Sequence, residues 1–586
     1  MRFVVALALG LAVGGGLYSR VGIANPTLLL EGTVSEGGLE GRFTRSVELG
    51  SGKFVEIRDY GAIRTGSANA GRRAWSVDVS GFAHELNSPF ARRLARSEAW
   101  LAANQGSRRP QEAQVLRVEG PFEVTRWVPR GGAPIELWYD TATGLLNRAI
   151  LEYSENRLVR HFDDWRDVGS HIEVAFRQVD EDIEDESTIA FVVEKASMQS
   201  QHAPGLFRPS APPDDVRFLE PQRVSTVAYE DDHRTRIYIP IYLNGHGPFA
   251  FELDSGGHFI LTSKTASTLG LVPQGAVSST GAGSEILKAG YVHIESVRIG
   301  TAELVNQTAK VLAWSDRSND RGAHPPRAGI LGLELFERFR VSIDREARTV
   351  ALTPSGQSGS PGPGPWAPIP MTFDEDAPLI AGSFDGAHGQ LMVDTGNAGP
   401  TIVEQYWAEQ QGMGRLFDTA AVPGRDTRAA LGVVALGPFS LTHEVVSYYG
   451  PQIRGSEHTR SVAAVVGEPL LSRFDLVFDY GSGVLWLKPL AGSAPSPFNR
   501  SGLWLSKSPD GTFQVASVSA ASPAAEAGVK SGDIVDELAG ESARSLSTAD
   551  AMALFRQPAG TNIVLRMRQT SVAPGRSVTV RLRDAL

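Results

Sequence analysis

Two stretches of the chain share one hydrophobic pattern. In "FAFELDSGGHFILT" (249–262) and in "LMVDTGNAGPTIV" (391–403), an apolar run ends in Asp-Ser/Thr-Gly and β-forming residues then resume. The pattern predicts a buried strand, a tight turn and a second strand in each place. Either copy alone is a weak signal, because aspartate and glycine are ordinary turn residues. The apolar runs, Phe249 to Leu253 and Leu391 to Val393, place each aspartate where a sheet interior opens.

The pattern repeats further along. "GILGLELFERFRVSID" (329–344) and "AVVGEPLLSRFDLVFD" (464–479) align without gaps. Gly332 matches Gly467, Leu335 matches Leu470, Arg338-Phe339 matches Arg473-Phe474 and Asp344 matches Asp479. The spans from aspartate to aligned glycine, 254 to 332 and 394 to 467, are nearly equal, which marks an internal duplication.

Elsewhere the first third alternates polar and apolar residues. "PIELWYD" and "LLNRAILEY", joined by "TATG", predict a hairpin, and "SPFARRLARSEAWLAAN" (88–104) predicts a helix. Pro/Gly/Ser-rich seams at 203–215, 355–366 and 491–498 cannot bury a core and read as linkers.

Composition narrows the picture. The 586 residues suggest about three to five domains. A content of 42% hydrophobic and 21% charged residues fits a folded, soluble protein. The net charge of −10, without a basic block, argues against nucleic acid as a partner. The absence of cysteine removes disulfides, thiolate metal sites and a cysteine nucleophile. At the N-terminus, Arg2 precedes an apolar run from Phe3 to Val13, and Gly22 and Ala24 suit a signal peptidase. That run is short of the roughly 20 residues that span a bilayer. The chain is therefore expected in the periplasm or outside the cell, with an uncleaved N-terminal anchor as the alternative. No G-x-S-x-G, H-E-x-x-H, P-loop or G-x-G-x-x-G occurs. His84-Glu85 lacks a second histidine and reads as a surface pair.

The duplicated Asp-Ser/Thr-Gly, each followed by two aliphatics and a glycine (Ile330-Leu331-Gly332; Val465-Val466-Gly467), resembles the aspartic proteases, particularly the bacterial retropepsin-like members. The resemblance covers roughly 225–490. It implies two β-barrel lobes in one chain, with Asp254 and Asp394 as a catalytic pair. Ser255 and Thr395 would tie the turns together, and Gly256 and Gly396 would let them approach. It also implies a flap at Thr280, Gly281, Ala282 and Gly283, a peptide or protein substrate, a monomeric catalytic unit, and no metal or cofactor. The family usually has alanine or serine after the motif; here Gly257 and Asn397 stand there, and Asn397 either perturbs the pair or faces solvent. The segment "VPGRDTRAAL" in the second lobe is less flap-like.

Ser522 to Val535, "SPAAEAGVKSGDIV", resembles PDZ domains. Ser522 can cap a short helix with Pro523 in its first turn, Gly528 ends that helix, and Gly532-Asp533 turns into a strand. A helix near "STADAMALFRQ" would form one wall of a peptide groove, with Gly502, Leu503, Trp504 and Leu505 as its binding loop. Trp504 replaces a glycine usual in that family, which puts carboxylate capture in doubt. The first block is similar in outline to the half-open β-barrels of lipoprotein carriers, though no motif carries that likeness.

The expected organisation is mainly β and multidomain: a signal at 1–24, an N-terminal β-rich domain at 25–202, a linker at 203–224, protease lobes at 225–354 and 368–490 joined by a linker at 355–367, a linker at 491–497 and a PDZ domain (α+β) at 498–586. The function it implies is an exported aspartic endopeptidase. The alternatives are a catalytically degenerate peptide-binding scaffold, or a lipid- or lipoprotein-binding protein acting through the N-terminal domain.

Overall fold

A computed structural model describes residues 26–584, apart from 62, 104–107, 155, 170, 201, 210, 234, 280–285, 315–318, 323, 357–358, 414–426, 450–458, 494, 496–497 and 571–573. The segment read as a signal, the four flap residues Thr280 to Gly283 and the start of "VPGRDTRAAL" lie outside the described residues. No helix among the described residues is long and apolar enough to cross a membrane. The architecture is mainly β and multidomain.

The duplicated sequence folds as two closed barrels with the same connectivity. In the first, Ile237–Leu243, His246–Leu253, Arg327–Leu331, Ile260–Thr262, Ala302–Leu312 and Leu287–Ile299 pair in that order, and the last strand returns to the first. In the second, Ala377–Phe384, Ala387–Asp394, Ala464–Gly467, Thr401–Val403, Phe439–Tyr449 and Thr427–Leu436 do the same. Parallel and antiparallel pairings fall at equivalent places: each strand leading to an aspartate runs parallel to the aliphatic-aliphatic-Gly strand.

The barrels share a six-strand platform. Phe339–Asp344 and Phe474–Asp479, the aligned tails, pair antiparallel with each other, and each pairs with its own successor, Thr349–Pro354 or Val484–Pro489. Ser225–Ala228 and Ala367–Asp374 complete the two flanks. Phe336, Phe339, Phe474 and Phe478 are fully buried around this junction. Burial of each such side chain contributes roughly 1.5–3 kcal/mol. The Pro-rich stretch 203–224 is partly ordered into the first barrel: Val216–Phe218 adds an edge strand, and the buried Asp215 accepts from Arg338 Nε at 2.6 Å.

The thirteen strands between Thr27 and Gln199 form one antiparallel sheet, in which Thr27–Glu36 pairs with Ser187–Gln199. Its open edges are Ala83–Leu86 and Gln114–Glu119, and the predicted helix, Pro89–Ala103, connects them. The predicted hairpin is present as Ile135–Asp140 and Leu146–Glu152. Leu94 and Leu101 of the helix bury against Ile135, Leu137 and Leu146. A cavity of about 60 Å³ beside this helix has a mixed lining, with Arg45, Glu56, Glu98 and Arg160 beside Phe54, Leu101 and Phe162.

This domain touches both barrels. Ala276 N–H donates to the Gly37 carbonyl at 2.6 Å, and Leu39 and Phe43 join a core with Val277, Ala289 and Tyr291 of the first barrel. Asn87 and Ser88 N–H both donate to the Phe373 carbonyl, at 3.0 and 2.9 Å, beside the second. His84 lies within this junction. The expectation of a surface pair at His84-Glu85 fails for the histidine: His84 is buried between Glu337 (3.1 Å) and Asp376 (3.1 Å), partners that only the tertiary fold supplies.

The C-terminal strands form a separate sheet with Leu503–Lys507 at its edge, facing the helix Thr548–Leu554. The local reading holds in detail. Ser522 Oγ accepts from Ala525 N–H, Pro523 occupies the first turn, Gly528 follows the helix with φ +75°, and Ile534–Leu538 is a strand. Ser547 and Asp550 form a reciprocal cap on the groove helix.

Candidate active site

Each Asp-Ser/Thr-Gly turn hangs from the end of its apolar strand and rests on the strand beneath it. Asp254 N–H donates to the Leu331 carbonyl (3.1 Å) and Leu333 N–H donates to the Gly257 carbonyl (2.7 Å). A Cβ on Gly332 would meet that carbonyl oxygen at 2.0 Å, so only glycine lets the strand pass there. The second copy matches: Glu468 N–H donates to the Asn397 carbonyl (2.9 Å), and a Cβ on Gly467 would stand 2.7 Å from it.

The two turns are bound crosswise. Ser255 Oγ donates to the Val393 carbonyl (2.8 Å) and Thr395 Oγ1 donates to the Leu253 carbonyl (2.9 Å). In return, Ser255 N–H donates to Thr395 Oγ1 (3.0 Å) and Thr395 N–H to Ser255 Oγ (3.1 Å). Both hydroxyl residues are fully buried, so these four bonds are shielded from water and fix the seam.

The seam brings Asp254 and Asp394 face to face. Each carboxylate packs against the glycine of the other turn: a Cβ on Gly396 would lie 2.3 Å from Asp254 Cγ, and one on Gly256 would lie 3.0 Å from Asp394 Cγ. Burial, the facing Asp394 and then Glu252 push the Asp254 carboxyl well above the ordinary carboxylate range. The backbone holds the two acids unequally. Asp394 Oδ1 accepts from Gly396 N–H (2.8 Å) and Asn397 N–H (3.1 Å), whereas Asp254 Oδ1 accepts from Gly256 N–H (2.9 Å), and Gly257 N–H turns to the Asp254 carbonyl instead. Asn397 does not face solvent. It is buried, and its Oδ1 accepts from Gly399 N–H at 2.8 Å.

Charges missed by the sequence reading surround the seam. Burial pushes Glu252 upward, yet Arg236 (2.6 Å) and Arg327 (2.7 Å) hold it below the usual carboxylate range. His258, four residues past Asp254, reaches Asp376 (3.0 Å) and Glu334 (3.3 Å), and Asp376 also meets His84. Burial and Lys310 oppose the charged form of His258, but Asp376 and Glu334 outweigh them and raise it to about 10. Burial likewise opposes the charged form of His84, whose carboxylate partners raise it well above its ordinary value. A histidine raised on folding stabilises fully below its unfolded value, near 6.5, and that stabilisation fades as pH climbs through the folded value. Wild type should therefore lose thermal stability steadily from about pH 6.5 toward 10, and His84→Gln/His258→Gln should flatten that slope. Unfolding midpoints measured across this range check it.

Glycine at 396 is required by contact rather than by backbone angle. Gly396→Ala should displace the Asp254 carboxylate and lower kcat for any hydrolysis at this site by roughly a hundredfold, the usual cost of an ångström's misplacement. Circular dichroism should remain native, and steady-state kinetics reads the loss.

In the C-terminal domain the four predicted loop residues fall at the start of the edge strand. Gly502 has φ +68°, and a Cβ there would strike Ser522 at 2.3 Å. Leu503 N–H is engaged by Ser501 Oγ (3.0 Å), while Leu503 and Leu505 bury their side chains. The strand edge beside the helix has the form that accepts an added strand.

Two barrels joined at paired Asp-Ser/Thr-Gly turns are thus followed by a separate sheet with a helix beside its edge strand. The family described as "Aspartyl protease" matches residues 239–335, and that described as "PDZ domain" matches 514–569. No curated protein matches the chain. Among solved structures, the aspartic proteinase from Irpex lacteus aligns over 47% of this chain and 99% of its own, at 14% identity and a TM-score of 0.33.

Proposed function

We propose that the chain is an exported endopeptidase in which Asp254 and Asp394 share one proton and activate one water. The observation that carries this is the crosswise seam, in which each carboxylate abuts the glycine of the opposite turn. Two carboxylates so close do not both ionise, and the pair titrates as a unit. The ionised member takes a proton from water as its oxygen attacks the scissile carbonyl carbon. The protonated member donates to the carbonyl oxygen. Collapse of the tetrahedral intermediate then expels the amine, which leaves with a proton returned from the pair. An extended peptide substrate fits a seam flanked by strands. Export rests on the N-terminal sequence alone.

The test is digestion of a peptide library in H₂¹⁸O. Each new carboxyl terminus should gain one ¹⁸O, and hydroxylamine should trap no acyl-enzyme. Peptide binding without cleavage would instead assign a scaffold role.

The C-terminal groove supports substrate recruitment. Deleting 498–586 should raise KM for long substrates roughly ten- to a hundredfold through lost effective concentration, with kcat changed far less. Steady-state kinetics on long and short peptides checks this, and an unchanged KM would contradict recruitment.

A further inference from the structure

We propose that Tyr480 is a positioning residue for Asp254: its hydroxyl, donated across the lobe boundary to the Ser255 carbonyl, strengthens the Gly256 N–H that holds the Asp254 carboxylate. This rests on the two-aspartate chemistry proposed above.

Tyr480 belongs to the second lobe, directly after the platform strand Phe474–Asp479, yet its phenol reaches the first lobe's turn. The hydroxyl donates to the Ser255 carbonyl at 2.9 Å. The same peptide unit carries, at its other end, the Gly256 N–H that donates to Asp254 Oδ1 at 2.9 Å. An amide whose oxygen accepts a hydrogen bond becomes a stronger donor at nitrogen, so the two bonds act as one chain from phenol to carboxylate. The ring has little freedom. It stacks on Phe336 (centroids 5.4 Å apart, 26° between planes) and packs against Phe373 at 4.8 Å. Burial pushes the phenol well up, so it stays protonated and serves as a donor.

The device is one-sided. In the aligned repeats Tyr480 corresponds to Arg345, each following its matched aspartate. Arg345 also crosses the boundary, but it pairs with the Glu468 carboxylate at 2.5 Å and its N–H donates to Asp475 Oδ1 at 2.9 Å. The asymmetry answers a need. Asp394 already accepts two N–H groups, while Asp254 accepts one from its own turn and lies near the charge of Glu252. The charged groups facing these turns are Glu252 and Asp394, with Glu337 near the phenol. A sharpened Gly256 N–H offsets part of the burden on Asp254 and keeps the two acids close enough in acidity to exchange one proton.

The experiment compares full-length wild type, Tyr480→Phe and Phe474→Leu. The last loosens the buried platform and leaves the rings around Tyr480 in place. The readouts are kcat/KM against pH for one peptide and ¹³C-carboxyl titration of the pair. Tyr480→Phe should raise the apparent pKa of the pair by roughly half a unit and lower kcat roughly three- to tenfold, within the span of a proton-transfer contribution, with KM little changed. Phe474→Leu should lower the melting temperature and leave the pH profile in place. Should Tyr480→Phe fail to fold, 3-fluorotyrosine placed at position 480 provides a stronger donor and should move the titration the opposite way. A profile for Tyr480→Phe that superimposes on wild type, an equal shift in Phe474→Leu, or no shift with fluorotyrosine overturns the proposal. Should wild type cleave nothing, the proteolytic function falls, and the carboxyl titration alone still decides: a moved step upholds the role of Tyr480 and an unmoved one overturns it.

Discussion

Asp254→Asn and Asp394→Asn should each lower kcat/KM for peptide hydrolysis by roughly a thousandfold or more, while the protein remains folded. Either change leaves a pair that can no longer be both acid and base at one pH, and positioned proton transfer alone is worth about 10²–10⁴ in rate. Stability should move the other way, or not at all. The Asp254 carboxyl is pushed up by burial and by Asp394, so at neutral pH folding must take up a proton there and bury the remaining charge, and an amide at either place relieves that cost. The four crosswise bonds use Ser255, Thr395 and backbone groups, so they survive both substitutions. Kinetics and calorimetry on the same samples separate the two effects. Loss of both activity and fold would mean that the aspartates are structural, and activity surviving either change would mean that they do not act as a pair.

Arg338→Met should be the most damaging change to stability, at about 3–5 kcal/mol, because it strands buried carboxylates. Arg338 lies in the buried junction, donates to Asp215 (2.6 Å), and reaches Asp78 at 3.4 Å and the Glu334 carbonyl at 3.1 Å. Burial pushes the Asp78 carboxyl up and Arg338 pulls it back. Asp78 belongs to the N-terminal domain, Asp215 to the Pro-rich stretch and Arg338 to the first lobe, so one guanidinium joins three parts of the chain. Denaturant unfolding should show the loss, and adding Asp215→Asn should recover part of it by removing one unpaired charge. A cost under about 1 kcal/mol would place the cluster in the class of solvated surface pairs.

The parts of this molecule legible in its sequence are those encoded locally or twice. The duplicated Asp-Ser/Thr-Gly and the aligned tails pointed to paired lobes, and the barrels repeat strand for strand, down to Arg338-Phe339 and Arg473-Phe474 beside the shared platform. Ser522 and Pro523 announced a helix start because capping is a matter of three or four residues. His84 misled for the opposite reason. Its partners, Glu337 and Asp376, lie more than two hundred residues away, and no periodicity encodes such a contact. Tyr480 was equally hidden, although one signal existed: it stands where the repeat alignment puts Arg345, so the two halves part company at the position that reaches across the seam.

The most direct measurement is a ¹³C-carboxyl titration of aspartate-labelled protein, with Asp254→Asn and Asp394→Asn used for assignment. One proton held between the two acids predicts two well-separated steps belonging to the pair, each lost in either variant. Two independent steps near the ordinary aspartate value, with one persisting unchanged when the other residue is replaced, would contradict the shared proton and the chemistry built on it.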